Sequence, residues 1–394
     1  MSHALAQAVE VLTTVLAVDG ICYFLVAVMA AWVYAARRRP PVADFSPGVS
    51  ILKSLKGMDP AMLDAFRSHC RQTYRGEFEL LFGVSSLEDP AASAVARLQA
   101  EFPERAIRLI ECPGQLGTNG KVSTLIQLVP HARFEYLLIN DSDITVSPRY
   151  VERVMTEFAP RPAKPEAKRE VGLVTALYRG RAHGTLGSRL EALGITTDFL
   201  ASVLVARWFE RGMRYGLGST LAVRRDALET IGGLDALADQ LADDYELGAR
   251  LYRAGYRIAV SREVVETSVP AYTWQEFLEH QLRWYRTVRD ARPWGYAGLI
   301  GTYGIGWALL NVVASGVSPL SVWLLALSFF LRLGMAMAVG TQVLGDHQVL
   351  PALWLLPLRD LVALGLWVGG FAGNTIVWRG ERFAVRRGRL EKAG

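Results

Sequence analysis

Residues 9–36 are apolar apart from Glu10 at the edge and Asp19, a run long enough as a helix to cross about 30 Å of hydrocarbon. Arg37-Arg38-Arg39 follows at once, and positive charge at that end places what comes next in the cytoplasm. The run is too long for a signal-peptide core and lacks a well-placed small-residue cleavage site, so it reads as a retained anchor. Asp19 either pairs with another membrane helix or sits near the polar surface. Beyond a proline-containing linker, 40–47, the period changes. Short β-type runs at 49–53, 79–84, 107–111 and 136–140 alternate with helical stretches at 60–74, 91–102 and 122–129. Strands separated by helices predict a mostly parallel sheet with helices on both faces and ligands at the carboxyl ends of the strands.

A second block, 171–270, offers a strand-like run at 171–175, a long mixed segment at 186–211, the turn Gly216-Leu-Gly-Ser-Thr220 and a helix opening near Asp243. The stretch 161–170, rich in Pro, Lys and Glu, reads as a solvated loop without chemistry. From Pro293 the chain is apolar again, at 295–315, 318–342 and 349–377, the last interrupted by Arg359-Asp360. That pair is either a paired interface step or a break in the span. Three full crossings would put the basic tail 379–392 outside, against the positive-inside bias. The Gly-rich 295–315 stretch is therefore expected to be re-entrant or interfacial.

Composition agrees with this division. At 394 residues, 51% hydrophobic and 21% charged, the chain is too apolar for an ordinary soluble enzyme, and it reads as a membrane protein with a sizeable soluble domain. Cys22, Cys70 and Cys112 match neither a metal knuckle nor a disulfide framework. The net charge of +5 is modest, and arginines crowd near the membrane segments, which suits anionic lipid headgroups and not nucleic acid.

Candidate chemistry begins where the 136–140 strand delivers Asn140-Asp141-Ser142-Asp143. Two carboxylates two residues apart at a strand end build a site for a hard divalent cation carrying a phosphorylated ligand, although Asp-Ser-Asp also suits a plain turn. Sugar transfer from a nucleoside diphosphate needs such an ion, a grip on base and phosphates and, for inversion, a carboxylate that deprotonates the acceptor hydroxyl. Asp141 and Asp143 supply the metal site, Asp89, Lys53 and Lys121 the grip, and Asp244 the base. Asp243-Asp244 also suits a helix N-cap, with Asp243 held at the acceptor mouth; Asp89-Pro90 also suits a helix start. Gly218-Ser219 is either a turn that admits an acceptor hydroxyl or an ordinary strand turn. On a helix over 274–290, His280, Arg283, Trp284 and Thr287 share one face, where a guanidinium fork beside an aromatic wall suits a diphosphate. Arg283, Arg286, Arg289 and Arg292 equally suit a membrane-surface helix.

The ordered set Leu52-Lys-Ser-Leu-Lys-Gly-Met-Asp-Pro60, Glu88-Asp89-Pro90, Leu116-Gly-Thr-Asn-Gly-Lys121, Asp141-Ser-Asp143, Ala242-Asp-Asp-Tyr245 and Arg283-Trp284 resembles the ceramide glucosyltransferase family. The likeness covers 49–292 and the anchor. The runs Leu237 to Gly248 and His280 to Trp284, followed by Thr287-Val-Arg-Asp290, most resemble the bacterial branch, including glycosyltransferases associated with hopanoid biosynthesis. The resemblance implies a membrane-bound inverting enzyme with a GT-A catalytic domain. It makes Asp89 the aspartate at the uridine end of the donor, Asp141 the second aspartate, Asp244 the general base, and Asn119 and Lys121 part of a loop near the donor phosphates. The chain departs in placing His280 where the family motif begins with Gln or Arg, and Thr197 where animal members have a His.

Taken together, the sequence predicts an anchor at 1–39, a cytoplasmic α/β GT-A domain at 46–292 with an interfacial helix at 274–292, membrane segments at 293–378 and a basic tail at 379–394. The expected activity moves one sugar, glucose or N-acetylglucosamine, from a UDP-sugar donor to a hydroxyl of a lipid acceptor, ceramide or a hopanoid polyol, with Mg2+ or Mn2+. The expected location is a bacterial inner membrane. The alternatives are a processive polysaccharide synthase of the same class and a nucleotide-sugar-binding scaffold without turnover. Oligomeric state is not legible.

Overall fold

The computed structural model describes residues 3–37, 44–59, 61–160, 169–378, 381–386 and 388–392. Arg38-Arg39, the linker prolines Pro40 and Pro41, Pro60, most of the 161–170 loop and Arg379 lie outside the described residues. By internal contacts the chain divides into two compact units: 38–179 with 210–270 and 385–394, and 1–37 with 180–209 and 271–384.

The first of these units is built on a mixed sheet. Its strands are β1 (Val49–Ser54), β2 (Phe78–Val84), β3 (Ala106–Glu111), β4 (Tyr136–Ile139), β5 (Ile144–Thr145), β6 (Val171–Ala182), β7 (Leu221–Arg224) and β8 (Arg257–Val269), in the spatial order β3-β2-β1-β4-β7-β6-β8-β5. Parallel pairing runs from β3 through β2 and β1 to β4. Such strands are covered on both faces and so carry continuous apolar runs, as in Phe-Glu-Leu-Leu-Phe-Gly-Val of β2. Phe82 faces Phe66 of the Met62–Cys70 helix, ring centroids 4.7 Å apart. On the opposite face Gly83 lacks the Cβ that would collide with Thr124 of the Gly120–Leu128 helix.

From β4 onward the sheet changes sense. β7 pairs antiparallel with both β4 and β6, and β5 with β8. The expected strand at 171–175 continues to Ala182, whereas β5, β7 and β8 were not foreseen as strands. The helix expected over 60–74 is confined to Met62–Cys70. Asp89 and Asp141 follow the carboxyl ends of β2 and β4, two strands of the parallel half.

In the other unit apolar helices dominate. Among the described residues, four helical stretches are long and apolar enough to cross a membrane: His3–Ala35, Leu186–Phe209, Pro319–Val343 and His347–Phe371. A bent pair, Pro293–Thr302 with Gly304–Ala314, is broken by 55°. Small residues let the His3–Ala35 helix approach the bent pair, since a Cβ on Gly20 would collide with Gly304. Asn311 Nδ2 donates to Thr13 Oγ1 at 3.0 Å and Thr14 Oγ1 at 2.7 Å, a polar tie between apolar helices. The segment expected as mixed, 186–211, is one apolar helical run with a π turn at Ile195–Phe199. The 349–377 stretch does not run as one α-helix: it is 3-10 over His347–Leu355, α over Leu356–Phe371, then a strand at Thr375–Trp378.

Candidate active site

At the end of β4, Asn140 is buried and its amide Nδ2 donates to Ser219 O at 2.7 Å and Tyr150 Oη at 2.8 Å. This crosslink draws the Asp141-Ser142-Asp143 loop onto the Gly216–Thr220 turn. The Asp243–Arg253 helix reaches the same turn through Gly248, where a Cβ would collide with Gly216 N. Gly218 then lies between two acids. A Cβ there would stand 3.1 Å from Asp244 Oδ2 and 3.5 Å from Asp141 Oδ2. Residues over a hundred positions apart thus present carboxylates to one glycine.

Lys121 completes the acidic cluster. Its Nζ donates to Asp141 Oδ1 at 2.7 Å and lies 3.4 Å from Asp243 Oδ2. Burial alone would lower its pKa, but the two carboxylates outweigh that and raise it, so the ammonium stays charged. Asn119 caps the Gly120–Leu128 helix, accepting from Val122 N at 3.1 Å, and is 0% exposed. Its Nδ2 donates to Gln240 O at 2.8 Å, its N donates to Ala238 O at 2.9 Å, and Thr118 donates to Asp239. The loop expected near donor phosphates is therefore stitched to 238–243, and Asn119 acts on the segment that leads into Asp243-Asp244.

Asp89 caps the Pro90–Glu101 helix and accepts from Ala91 N at 2.8 Å, so its capping role is realised. The same carboxylate accepts from Gly57 N at 3.0 and 3.1 Å. Two residues on, Asp59 Oδ2 accepts from Ser142 Oγ at 2.6 Å. The loop after β1 thereby links Asp89 to the Asp141 loop. Sequence reasoning assigned Asp59 no role of its own; an acid closing a Gly-containing segment was the available signal.

Lys53 does not present its ammonium as a phosphate contact would require. The side chain is 1% exposed and Nζ donates to Asp141 O at 2.9 Å, holding the Asp141-Ser142-Asp143 loop from behind. Burial brings its pKa down to about 7, against the pull of Asp143 and Asp141. Burial and the neighbouring Asp141 push Asp143 up to about 6, with Thr267 Oγ1 donating to its Oδ2. Asp244 is likewise pushed up to about 6, by burial and then by Asp243, with Lys121 opposing.

The helical unit holds a second cluster. Thr273 and Glu276 form a capping box that opens the Trp274–Ala291 helix. His280, Arg283 and Trp284 share a face as predicted: Arg283 Nη2 lies 2.8 Å from His280 Nε2, and the His280 and Trp284 rings are 5.3 Å apart. Thr287 Oγ1 turns back to Arg283 O at 2.8 Å. Arg286 donates to Ala372 O at 2.7 Å and Arg289 to Gly370 O at 2.6 Å, capping the end of the Leu356–Phe371 helix. Thr197 is buried and accepts from Arg332 Nη2 at 3.2 Å.

A model of glycosyl transferase family 21 matches residues 12–391. The chain belongs to that family. It is a glycosyltransferase, and among its curated relatives are ceramide glucosyltransferase 3 of Caenorhabditis elegans, 24% identical over 95% of this chain and 82% of that protein, and ceramide glucosyltransferase 1 of the same organism, 23% identical over 87% and 72%. Among solved structures, a mannosyltransferase of Pyrobaculum calidifontis in complex with GDP-Man and Mn2+ superimposes with a TM-score of 0.54 over 93% of this chain and 99% of that one, at 18% identity. The likeness supports a GT-A-type fold.

Proposed function

We propose that this family 21 enzyme transfers one sugar, glucose or N-acetylglucosamine, from a UDP-sugar to a hydroxyl of a membrane lipid, ceramide or a hopanoid polyol, with inversion. The observation that carries the reading is Gly218, against which Asp244 and Asp141 bring a base and a diphosphate-side acid together. A carboxyl near pKa 6 is mostly ionised at neutral pH yet basic enough to accept a proton.

Asp141 and Asp143 offer hard oxygen donors, and Asp143 is held high first by burial and then by the charge of Asp141, the part that a cation would relieve. Among the described residues no three Asp, Glu, His or Cys side chains converge as a metal cage. Two carboxylates fit Mg2+ or Mn2+ whose remaining ligands are phosphate oxygens and water. Such an ion, when bound, supplies positive charge against the leaving diphosphate.

Lys121 adds charge on the same side, while Lys53 fixes the Asp141 carbonyl. Asp89 orients the loop after β1 toward the uridine end, and the bare turn at Gly218-Ser219 leaves room for the acceptor oxygen. Asp243, tied to Lys121, borders the acceptor mouth. Arg283, with His280 against its guanidinium, grips the diphosphate, and Trp284 stacks the sugar or acceptor, as the family motif implies. Asp244 takes the proton of the acceptor hydroxyl. That oxygen bonds to the anomeric carbon from the face opposite the diphosphate, the bond from that carbon to the phosphate oxygen breaks, and UDP leaves. The full chain in lipid nanodiscs, given UDP-sugar and lipid extract, should yield lipid carrying one sugar with an anomeric configuration opposite to the donor's. Polymer products, or retained configuration, would refute the reading.

A further inference from the structure

Charged side chains are costly inside apolar helices, several kcal/mol per ion even after relaxation, yet the helical unit buries a connected set of them. Arg332 donates through Nε and Nη2 to Asp360, at 3.1 and 2.9 Å, and through Nη2 to Asp198. The second oxygen of Asp198 accepts from Arg359 Nε at 2.7 Å, and Arg359 Nη1 donates to Gln281 Oε1 at 3.0 Å. Gln281, 3% exposed, donates from Nε2 to Glu191 Oε2 at 3.1 Å. That same oxygen lies 2.9 Å from His280 Nδ1, and His280 Nε2 lies 2.8 Å from Arg283 Nη2.

The donors and acceptors fix the state of the histidine. Arg283 has only hydrogens to give, so His280 Nε2 must present a lone pair, and its hydrogen then sits on Nδ1 and points at Glu191. A carboxylate holding a histidine in one tautomer is a recurrent way to orient the group beyond it. Here the group beyond is a guanidinium on a long, rotamer-rich stem, whose placement otherwise costs entropy. A largely buried, hydrogen-bonded chain of this kind restricts the arrangements open to it, which suits it to setting a side chain's position.

We propose that Glu191 is a positioning residue for Arg283: through His280 it presets the guanidinium fork for the donor diphosphate, and the Gln281–Arg359–Asp198–Arg332 chain anchors Glu191. The inference rests on the reading of Arg283 as the diphosphate grip.

A double-mutant cycle on the full chain in nanodiscs, with UDP binding in the presence of Mn2+ followed by calorimetry, tests it. Arg283→Ala should weaken UDP by about tenfold or more, and Glu191→Gln alone by about five- to tenfold. In the Arg283→Ala background Glu191→Gln should change the Kd by less than about twofold. An equal loss in both backgrounds, or no loss from Glu191→Gln in the wild-type chain, overturns the proposal. An unchanged Kd in Arg283→Ala overturns the grip itself, and with it this inference. Should Glu191→Gln not give a native melting transition, His280→Phe replaces it in the same cycle with the same expected coupling, since the ring packing against Tyr272 and Trp284 is kept while both nitrogens are removed.

Discussion

Asp244 is the residue on which the proposed chemistry turns, and its surroundings set its pH behaviour. Burial and the adjacent Asp243 lift its carboxyl to about 6, while Lys121 holds it from rising further. A base works only when deprotonated, so kcat/KM for the free enzyme should be level above that value and fall tenfold per unit below it. A pH–rate profile with an acid limb near 6 is the expected result; a limb near 4, as for an unperturbed Asp, would show that Asp244 does not feel this environment in solution. At this scale the sequence identified the acids but not their supports. Asp141, Asp143 and Asp244 stood out as carboxylates in runs, whereas Asn140, Gly248 and Asp59 hold the site through contacts over long chain separations. Lys53 was expected at the phosphates because a lysine beside a strand end is often exposed; five fully buried residues of β1 show why this one is not.

Among the elements, one at the far end of the chain bears on the site. The Arg389–Lys392 strand pairs with the segment that precedes Asp243: Leu390 N donates to Asp239 O and Leu241 N to Gly388 O, each at 2.9 Å. Asn119 holds the same segment from the other side through Gln240 O. Loss of one clamp leaves the acids on a looser tether, and small misplacement is costly in catalysis. Ending the chain after Arg386 should lower kcat about fivefold to tenfold with donor KM little changed; an unchanged kcat would show that the strand is dispensable. The parallel half of the sheet was legible because each buried strand is a continuous apolar run flanked by turn residues. The antiparallel half was not, since β7 has four residues and β8 alternates buried and half-exposed positions. The Leu186–Phe209 helix was obscured by Arg189, Glu191 and Asp198; the His280 and Gln281 partners of Glu191 and the arginine partners of Asp198 lie 89 or more residues away.

For the whole molecule, the same terminal strand bears on topology. Leu390 N donates directly to Asp239 O, so the tail and the catalytic sheet fold as one unit, and on the proposed reading both face one side of the membrane. In a cysteine-free background, Glu104→Cys and Lys392→Cys should react with a membrane-impermeant maleimide from the same side of sealed vesicles. Labelling from opposite sides would contradict the pairing.

The central claim, that acids gathered at Gly218 run an inverting sugar transfer, is tested most directly by Asp244→Asn, with UDP-sugar affinity and single-turnover transfer to lipid measured on one preparation. The account predicts donor affinity within about twofold of wild type and turnover lowered by about two orders of magnitude or more. Turnover near the wild-type rate would contradict it.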